Sequence, residues 1–233
     1  MGRDYRRYAG PVRDAVLFDV HGNIDALEAV LADAAAAGCE GLVVGGDLAY
    51  LGPAPDECVD RIRGFDGRVV AIRGNTDRMI ANGDDDVAAW AADRLGEERV
   101  AWLGGLQPER VLGEHDALLV HAVPGDDERR LEPDTPDATA AALVGAPGHA
   151  TLLCGHVHLQ YTRRVGTTEV VNPGSVGFPF DGDPAAAWAV IDDGMVELRR
   201  TDYDVERALA RLAGLASHPA RALAERRLRT ARA

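Results

Sequence analysis

Three apolar runs in the first third of the chain end in polar residues, and these polar ends are equally spaced. The runs AVLFDV, GLVVGGD and VVAIRGNTD carry Asp19, Asp47 and Asn75 at or near their ends, so that 28 residues separate each polar residue from the next. One βα unit takes about this length. Three neighbouring parallel strands of one sheet can therefore aim these three side chains at one point.

The segments between the runs have helical patterns. Ile24–Ala37 shows helical spacing of its apolar residues and stops at Gly38, and Pro55–Arg63 can form a short helix. Strands that alternate with helices predict parallel βαβ units, in which ligands bind beyond the carboxyl ends of the strands. The polar residues fall at those ends.

The rest of the chain predicts one domain made of two sheets between helices. Ala81–Gly104 is typical of an acidic helix, and Val123–Pro136 is typical of a polar loop. The candidate strands are Arg110–Gly113, Ala117–His121, Thr151–Cys154, Tyr161–Val165, Glu169–Val171, Ala187–Ile191 and Val196–Arg200. The candidate helices are Ala138–Val144, Tyr203–Ala216 and Ala220–Ala231. Because no segment has linker composition, we expect a single domain over residues 1–233, with a core of about 12–201 and closing helices over about 203–231.

Composition narrows the class of protein. Of the 233 residues, 46% are hydrophobic and 27% are charged, which is typical of a globular chain that can bury a core. Met1–Pro11 carries three arginines but no apolar run follows them, unlike a signal peptide. The apolar stretches are far shorter than the roughly 20 residues that a membrane helix needs. We therefore expect a cytoplasmic protein without a membrane partner.

Charge and cysteine content argue against two further classes. A net charge of −13 argues against tight nucleic-acid binding. Five of the 25 arginines fall in Arg221–Arg232, where a docking patch is one interpretation and the solvated face of a terminal helix is the simpler one. Cys39, Cys58 and Cys154 are odd in number and lack paired spacing, which predicts neither disulfides nor a zinc knuckle. Cys154 could be a metal ligand, but the run TLLCGH favours a buried strand.

Histidines join the polar strand ends. They are His21, His121, His156 and His158. Because residues two apart on an extended segment face opposite ways, His156 and His158 serve one cluster only if the chain turns there, or if each meets a different metal. Gly155 permits such a turn. Carboxylates, an amide oxygen and imidazoles suit Mn²⁺, Fe or Zn²⁺ better than Ca²⁺ or Cu(I). Two metals about 3.5–4 Å apart need a shared oxygen ligand, and a carboxylate can bridge them.

Each motif also has a simpler interpretation when it is taken alone. Asp19 and His21 could be a turn aspartate beside an incidental histidine, and Asp47 could cap a helix. Asn75 could be a turn residue and His121 a hydrogen-bonded core histidine, while GHVH could be a structural pair. Their order along the chain, all at strand ends, favours one shared site.

The motif order resembles the calcineurin-like metallophosphoesterase superfamily and, within it, the small bacterial YfcE-like phosphodiesterases. The resemblance covers nearly the whole chain through FDVHGN, GGDLAYLGP, IRGNTD, LLVHAVPGD, CGHVH and VNPGSVG. It implies an α/β fold, specifically a four-layer α/β/β/α sandwich, and a metal-dependent phosphoric ester hydrolase. It further implies one divalent metal on Asp19, His21, Asp47 and His158, and a second on Asp47, Asn75, His121 and His156. We expect Mn²⁺, with Fe, Zn or Ni as alternatives.

The sequence departs from the superfamily pattern at Thr76. The usual motif is GNHD, in which the histidine is assigned to leaving-group protonation or phosphate contact. A hydroxyl is a poor general acid, because its pKa is far from neutrality. YfcE-like proteins also lack this histidine and commonly carry cysteine there. We predict Asn75, Thr76 and Asp77 as catalytic residues.

Other residues near the motifs are weaker candidates. Asn23 and Arg73 are predicted to bind substrate, although Arg73 could instead form an ion pair with a nearby acid. VNPGSVG predicts a loop close to the metals, because its glycines let backbone approach closely. A surface turn is favoured for His115, although it could approach the site, and His149 and His218 are predicted in loops or at the surface.

These features predict a binuclear phosphoesterase that acts on a small phosphate ester. We expect in-line attack on phosphorus by hydroxide that bridges two divalent cations, with a phosphodiester as the favoured substrate. A phosphomonoesterase and a dinucleoside-polyphosphate hydrolase are alternatives. A non-catalytic interaction scaffold is the alternative from another class, since the retromer scaffold subunit shares this fold, but its ligand set is degraded whereas this one is complete.

Overall fold

Two five-stranded mixed sheets lie against each other between helices in the computed structural model of the chain. The structure describes residues 12–233. Met1–Pro11, predicted not to be a signal peptide, lies outside the described residues. None of the helices described in 12–233 is both long and apolar enough to cross a membrane.

The strands and helices follow one another in a mainly alternating order. The strands are β1 (Arg13–Leu17), β2 (Gly41–Val44), β3 (Arg68–Ala71), β4 (Glu109–Leu112), β5 (Ala117–Val120), β6 (Thr151–Leu153), β7 (Gln160–Val165), β8 (Thr168–Pro173), β9 (Ala186–Asp192) and β10 (Met195–Thr201). The helices are α1 (Ile24–Ala36), α2 (Pro55–Arg63), α3 (Asn75–Asn82), α4 (Asp86–Gly105), α5 (Asp137–Val144), α6 (Val205–Ala213) and α7 (Arg221–Thr230). A short 3-10 helix spans Gly113–His115.

The first sheet contains the predicted parallel βαβ units. Its strand order is β10-β9-β1-β2-β3, and β1, β2 and β3 run parallel. Leu17 pairs with Val44 and Val44 with Ala71, so that the carboxyl ends of these three strands are level. The equal 28-residue intervals therefore correspond to three adjacent strands whose following loops start at one edge.

The second sheet supplies two further strand ends at the same site. Its order is β4-β5-β6-β8-β7, with β5, β6 and β8 parallel. The segment after β5 carries His121, and the segment after β6 carries the CGHVH motif.

The apolar core is divided into layers, as expected for the four-layer sandwich. Between the sheets lie residues of both, including Val16 and Phe18 from the first and Leu119 and Leu153 from the second. The outer face of the first sheet packs on α1 to α4. The outer face of the second sheet packs on α5 through Ala140 and Val144.

The predicted helix Ala81–Gly104 is wrong in its boundaries. The structure interrupts this segment twice. Helix α3 starts at Asn75 and ends at Asn82, α4 starts at Asp86 after its cap Asp85, and α4 is kinked at Gly96, which has a non-helical φ of 72°. Asp85 accepts a hydrogen bond from the amide of Ala88, which satisfies an unpaired donor of the first turn. The other predicted strands and helices are present, with boundaries shifted by a few residues at most.

Candidate metal centre

Five strand ends bring seven potential metal ligands to one place. The ligands come from the segments after β1, β2, β3, β5 and β6 and are Asp19, His21, Asp47, Asn75, His121, His156 and His158. Six of them form two compact groups, in each of which the ligand atoms lie within 4.8 Å of one another. The first ligand group is Asp19, His21 and His158, and the second ligand group is Asp47, His121 and His156.

Asp47 lies between the two groups. Its Oδ2 is 3.6 Å from Nε2 of His21 in the first group, and its Oδ1 is 3.4 Å from Nε2 of His121 in the second. Asn75 adds an amide oxygen to the second group, 3.0 Å from Nε2 of His121 and 3.2 Å from Nδ1 of His156. One carboxylate thus faces both groups, which is the geometry that a bridging ligand needs.

Five of the seven ligands have left-handed backbone conformations. They are Asp19, His21, Asp47, His156 and His158, with φ between 50° and 68°. Such residues cost about 1–3 kcal/mol each and persist only where the surrounding structure holds them. His156 and His158 lie in different ligand groups of the same centre, and the chain turns between them instead of continuing as a strand.

Backbone carbonyl groups orient three of the imidazoles. The carbonyl oxygens of Tyr50, Gly45 and Phe178 lie 3.0, 2.8 and 2.6 Å from Nδ1 of His21, His121 and His158, respectively. A carbonyl oxygen only accepts, so each Nδ1 carries a proton. The Nε2 atom of each neutral ring is then a lone-pair donor that faces the ligand groups, as in metal sites.

These donors fit divalent cations. Nε2 of His21 and Nε2 of His158 lie 3.1 Å apart, and two facing lone pairs repel each other unless a cation or proton lies with them. Oδ1 of Asp19 is buried without a hydrogen-bond partner in the described chain, 3.4 Å from Nε2 of His158. A mixed oxygen and nitrogen set of this kind suits Mn²⁺, Fe and Zn²⁺. Cys154 is buried and belongs to neither group.

Comparison with known proteins identifies the family. The sequence model of the calcineurin-like phosphoesterase superfamily domain matches residues 13–194. The chain belongs to this superfamily. Its match includes all seven candidate ligands and ends before α6, so that the last two helices lie outside it.

Three similar proteins illustrate the relationship within the superfamily. Phosphodiesterase YfcE of Escherichia coli K12 is 26% identical over 195 residues, which cover 80% of this chain and 91% of that protein. The uncharacterized protein MJ0912 of Methanocaldococcus jannaschii is 27% identical over 227 residues, covering 85% and 90% respectively. The crystal structure of a metallophosphoesterase from Sphaerobacter thermophilus is 25% identical, with a TM-score of 0.80, over 95% of this chain and 100% of that chain.

The electrostatics of the metallophosphoesterase site shift the pKa values of two candidate ligands, His121 and His21, in opposite directions. Burial favours neutral His121, but Asp47 and its hydrogen bond outweigh burial and raise the pKa of His121 to about 10 in the metal-free chain. Burial lowers the pKa of His21 to about 4, although Asp47 opposes this shift. Burial would raise the pKa of Asp19, but the neighbouring His158 lowers it. A metal in the second ligand group therefore has to displace the proton of His121.

Thr76 and Asp77 lie in the first turn of α3 beside the carboxylate of Asp47. The hydroxyl of Thr76 is buried and has no hydrogen-bond partner in the described chain. Asp77 accepts hydrogen bonds from the backbone amides of Asp47, Leu48 and Gly74, at 2.8, 2.9 and 3.0 Å. The catalytic role predicted for Asp77 stays a prediction, whereas its contacts support the positioning of the two loops that carry Asp47 and Asn75.

Arg73 lines a cavity of about 580 Å³ next to the second ligand group. His121 and the acidic segment Asp126–Glu128 also line this cavity. Among the described residues, no carboxylate lies within 4.0 Å of Arg73, and the Nε atom of Arg73 is buried without a hydrogen-bond partner. The structure therefore does not support the alternative that Arg73 forms an ion pair with a nearby acid. In contrast, Arg78 in the same cavity pairs with Asp127 and Glu128.

Asn23 and the VNPGSVG loop hold the first motif in place. The Asn23 side chain is fully buried, accepts from the amide of Ala26 and donates to the carbonyl of Gly177 and the hydroxyl of Tyr203. These three hydrogen bonds occupy the side-chain amide group of Asn23. The geometry therefore supports a role for Asn23 in holding the loop rather than in binding substrate. Ser175 donates a 2.7 Å hydrogen bond to the carbonyl of Asp19. The VNPGSVG loop therefore lies close to the metal site, as predicted, and it supports the site through contacts with the backbone.

His115 is buried, and its predicted surface position is wrong. It is 2% exposed, and its Nε2 lies 3.0 Å from Oδ2 of Asp14. It precedes β5, whereas His121 follows that strand, so His115 is at the opposite end of the sheet from the metal centre. Glu114 joins His115 and Asp14 in a third acidic group, but Arg68 pairs with both carboxylates there, and we assign no metal to it.

His218 is also buried, 5% exposed, with its Nε2 2.8 Å from the carbonyl oxygen of Leu51. It lies in the loop between α6 and α7, as predicted, but it is not at the surface. The carbonyl groups that orient the imidazoles are not predictable from the sequence, because a backbone acceptor leaves no residue-type signal. The left-handed conformations of the ligands are equally invisible in residue type.

Proposed function

We propose that this metallophosphoesterase hydrolyses small phosphodiesters with two divalent cations, of which Mn²⁺ is the favoured one. The position of Asp47 carries the proposal, since its two oxygens face the first and the second ligand group. Two cations bound there would supply an activated water and would neutralise charge on the phosphoryl oxygens. A complete set of seven ligands supports catalysis over the scaffold alternative.

The chain's own residues account for binding and orientation of the phosphate. Arg73 offers an unpaired guanidinium group at the cavity that His121 also lines. One guanidinium group can bind two phosphate oxygens at once. The buried, unpartnered hydroxyl of Thr76 can donate one hydrogen bond to a phosphate oxygen or to the leaving oxygen. Asn75 and Asp77 hold the loop in which these groups lie.

The residue at position 76 favours esters with acidic leaving groups, and the name of a relative favours diesters among them. Without an imidazole there, residue 76 offers the leaving oxygen only a hydroxyl, which is a poor general acid near neutral pH. Burial raises the pKa of Asp77 to about 7, but both of its carboxylate oxygens accept hydrogen bonds from backbone amides. Esters with acidic leaving groups need a proton on the leaving oxygen least. The name of the E. coli relative, a phosphodiesterase, agrees with this preference.

Metal-dependent turnover tests the proposal. Purified chain stripped with chelator and reloaded with Mn²⁺ should hydrolyse bis-p-nitrophenyl phosphate faster than p-nitrophenyl phosphate, and only when loaded. Loss of a residue that hydrogen-bonds to a metal ligand typically lowers activity by roughly 10–100-fold. His156→Gln removes a candidate ligand itself and should lower kcat/KM by more than that. His149→Gln is the matched control, because His149 pairs with Asp116 outside both ligand groups. Metal retention without turnover of either ester would overturn the proposal and favour the scaffold.

A further inference from the structure

The two C-terminal helices pack on the two loops whose carbonyl groups orient His21 and His158 of the first ligand group. Leu209 and Leu212 of α6 and Leu228 of α7 share an apolar cluster with Leu51 and Phe178. Leu51 follows Tyr50 directly, and the carbonyls of Tyr50 and Phe178 are the acceptors that orient His21 and His158. The helices therefore form one wall of the metal centre, although they lie outside residues 13–194, which the family model matches.

Hydrogen bonds fix this wall at two points. His218, between α6 and α7, contacts the carbonyl oxygen of Leu51 at 2.8 Å. The amide of Gly182 donates to the carbonyl of Ala231 at 2.9 Å, just beyond the end of α7. The position of α7 beside the first ligand group is thus set at both ends.

Arg227 of α7 reaches toward the first ligand group through an aromatic ring. Phe180 stacks on the imidazole of His158, with ring centroids 4.3 Å apart and an angle of 16° between the planes. The guanidinium carbon of Arg227 lies 5.1 Å from the centroid of Phe180. Only one ring therefore separates this cation from a metal-ligand candidate.

Arg227 has no acidic partner within residues 12–233. Its half-buried side chain forms no ion pair, and its Nε is buried without a hydrogen-bond partner. By contrast, Arg221 and Arg229 of the same helix pair with Glu225 and Glu206. The interpretation of the C-terminal arginines as a solvated face therefore fails for Arg227.

The described residues leave this half-buried cation available for a negatively charged group of a ligand. Half-burial costs solvation, and it lowers the pKa of Arg227 below its ordinary value, as does the neighbouring Arg226. Divalent cations in the first ligand group would add repulsion. The same reasoning applies to Arg73 on the side of the second ligand group, so that unpaired guanidinium groups lie on both sides of the centre.

We infer that Arg227 is a specificity-determining residue that binds a second anionic group of the substrate, a carboxylate or a further phosphate. The substrate is then a phosphoester with a distal negative charge that extends over the first ligand group toward α7. The inference rests on the proposed function, because it assumes that the reacting phosphate occupies the metal centre.

Binding of two matched, non-hydrolysable probes tests the inference without turnover. Butylphosphonate and 4-phosphonobutanoate differ only by a terminal carboxylate, and longer ω-phosphonocarboxylates extend the reach of that group. Calorimetry on the Mn²⁺-loaded full chain gives the ratio of the two dissociation constants. Arg227→Met retains an apolar side chain over Phe180 and removes the charge. Arg226→Met is the control on the same helix, since Arg226 is exposed.

The best-fitting carboxylated probe should bind wild type about tenfold more tightly than its alkyl counterpart, as a charge-assisted hydrogen bond allows. This ratio should fall to within about twofold in Arg227→Met and should be largely retained in Arg227→Lys and Arg226→Met. A ratio near one in wild type, or an unchanged ratio in Arg227→Met, overturns the inference even if bis-p-nitrophenyl phosphate is hydrolysed. Conversely, a tenfold ratio that depends on Arg227, in a chain that turns over no ester, sustains the anion site and overturns the proposed function alone.

Discussion

The backbone amide of Thr76 donates a 3.0 Å hydrogen bond to Oδ1 of Asp47. This bond ties the first turn of α3 to the carboxylate that faces both ligand groups. Amides at a helix N-terminus favour a negative partner, so the bond stabilises the ionised form of Asp47. Its pKa is lowered below the ordinary value, because His121 and His21 outweigh the effect of burial. The side chain at position 76 consequently lies beside the shared ligand, where a small change alters the chemistry.

Replacement of that shared ligand should remove metal and activity together. In Asp47→Asn, a neutral amide replaces the carboxylate whose two oxygens face the two groups, and an amide bridges cations poorly. We expect elemental analysis to show less than one metal ion per chain and kcat/KM for a diester to fall by more than about 10²-fold. Asp84→Asn, at an exposed position outside both groups, should leave both unchanged. Undiminished metal content in Asp47→Asn would contradict the bridging role.

The effect of metal on stability should grow as pH rises. In the metal-free chain the pKa of His121 is raised to about 10, so its stabilising proton is fully present below about 6.5 and is lost as pH rises toward 10. Metal binding needs the neutral ring and becomes easier over the same range. The difference in Tm between Mn²⁺-loaded and chelated protein should therefore widen between pH 6 and 9, as measured by differential scanning fluorimetry.

Two variants separate this effect from general pH sensitivity. In wild type, the Tm of the chelated protein should decline above pH 6.5 as His121 loses its proton. His121→Gln should abolish this decline, whereas His149→Gln should retain it. At acid pH the sign reverses for His21, whose pKa is lowered to about 4. Its contribution to the stability of the metal-free chain is present above 6.5 and is lost as pH falls toward 4. A Tm difference that is constant with pH would contradict the prediction.

The approach of two ligand loops at Gly46 should be intolerant of a methyl group. A Cβ at Gly46 would lie 2.3 Å from the backbone nitrogen of Gly74, which immediately precedes Asn75. Gly38 also has a positive φ, but a Cβ there meets nothing within 4 Å. Gly38→Ala should cost about 1–2 kcal/mol in the free energy of unfolding, from backbone strain alone. Gly46→Ala should cost a further ~1–3 kcal/mol and should also weaken metal binding. Equal urea midpoints for the two variants would show that the loops can separate without penalty.

Residue type and spacing predicted the parts of the fold that depend on local pattern. The 28-residue intervals between Asp19, Asp47 and Asn75 correspond to adjacent parallel strands, because one βα unit fixes that distance along the chain. The start of α3 at Asn75 was missed, since GNTD also fits a turn and its cap Gly74 provides no side-chain signal. Left-handed φ at Asp19 and at His158 results from the loops that pack around them.

Long-range contacts account for the other misses. His115 is buried because its imidazole contacts the carboxylate of Asp14, which lies 101 residues away in the sequence. His218 is buried against the carbonyl of Leu51, 167 residues away. No pattern within a window of the sequence contains both members of either pair. Arg227 was interpreted as solvated for the same reason, since Phe180 lies in a distant loop.

Position 76 should control which leaving groups the enzyme tolerates. In wild type the leaving oxygen departs without a proton from an imidazole, so kcat/KM should depend steeply on the pKa of the leaving group. Aryl phosphates should turn over much faster than alkyl phosphates, and diesters faster than monoesters. Thr76→Ala should cost comparatively little, since a single neutral hydroxyl contact contributes only about 0.5–1.5 kcal/mol.

Thr76→His tests the prediction from the other direction. A positioned general acid contributes about 10²–10⁴-fold, so this variant should accelerate alkyl monoesters and flatten the leaving-group dependence. Thr139→His, on the exposed face of α5, is the control for adding an imidazole away from the site. The measurement is kcat/KM over a series of leaving groups for wild type and the three variants. A shallow dependence in wild type would mean that another group already supplies the proton. That group cannot be His115, which lies buried against Asp14 at the far end of β5. The predicted preference for acidic leaving groups would then be wrong, because it depends on the absence of this proton donor.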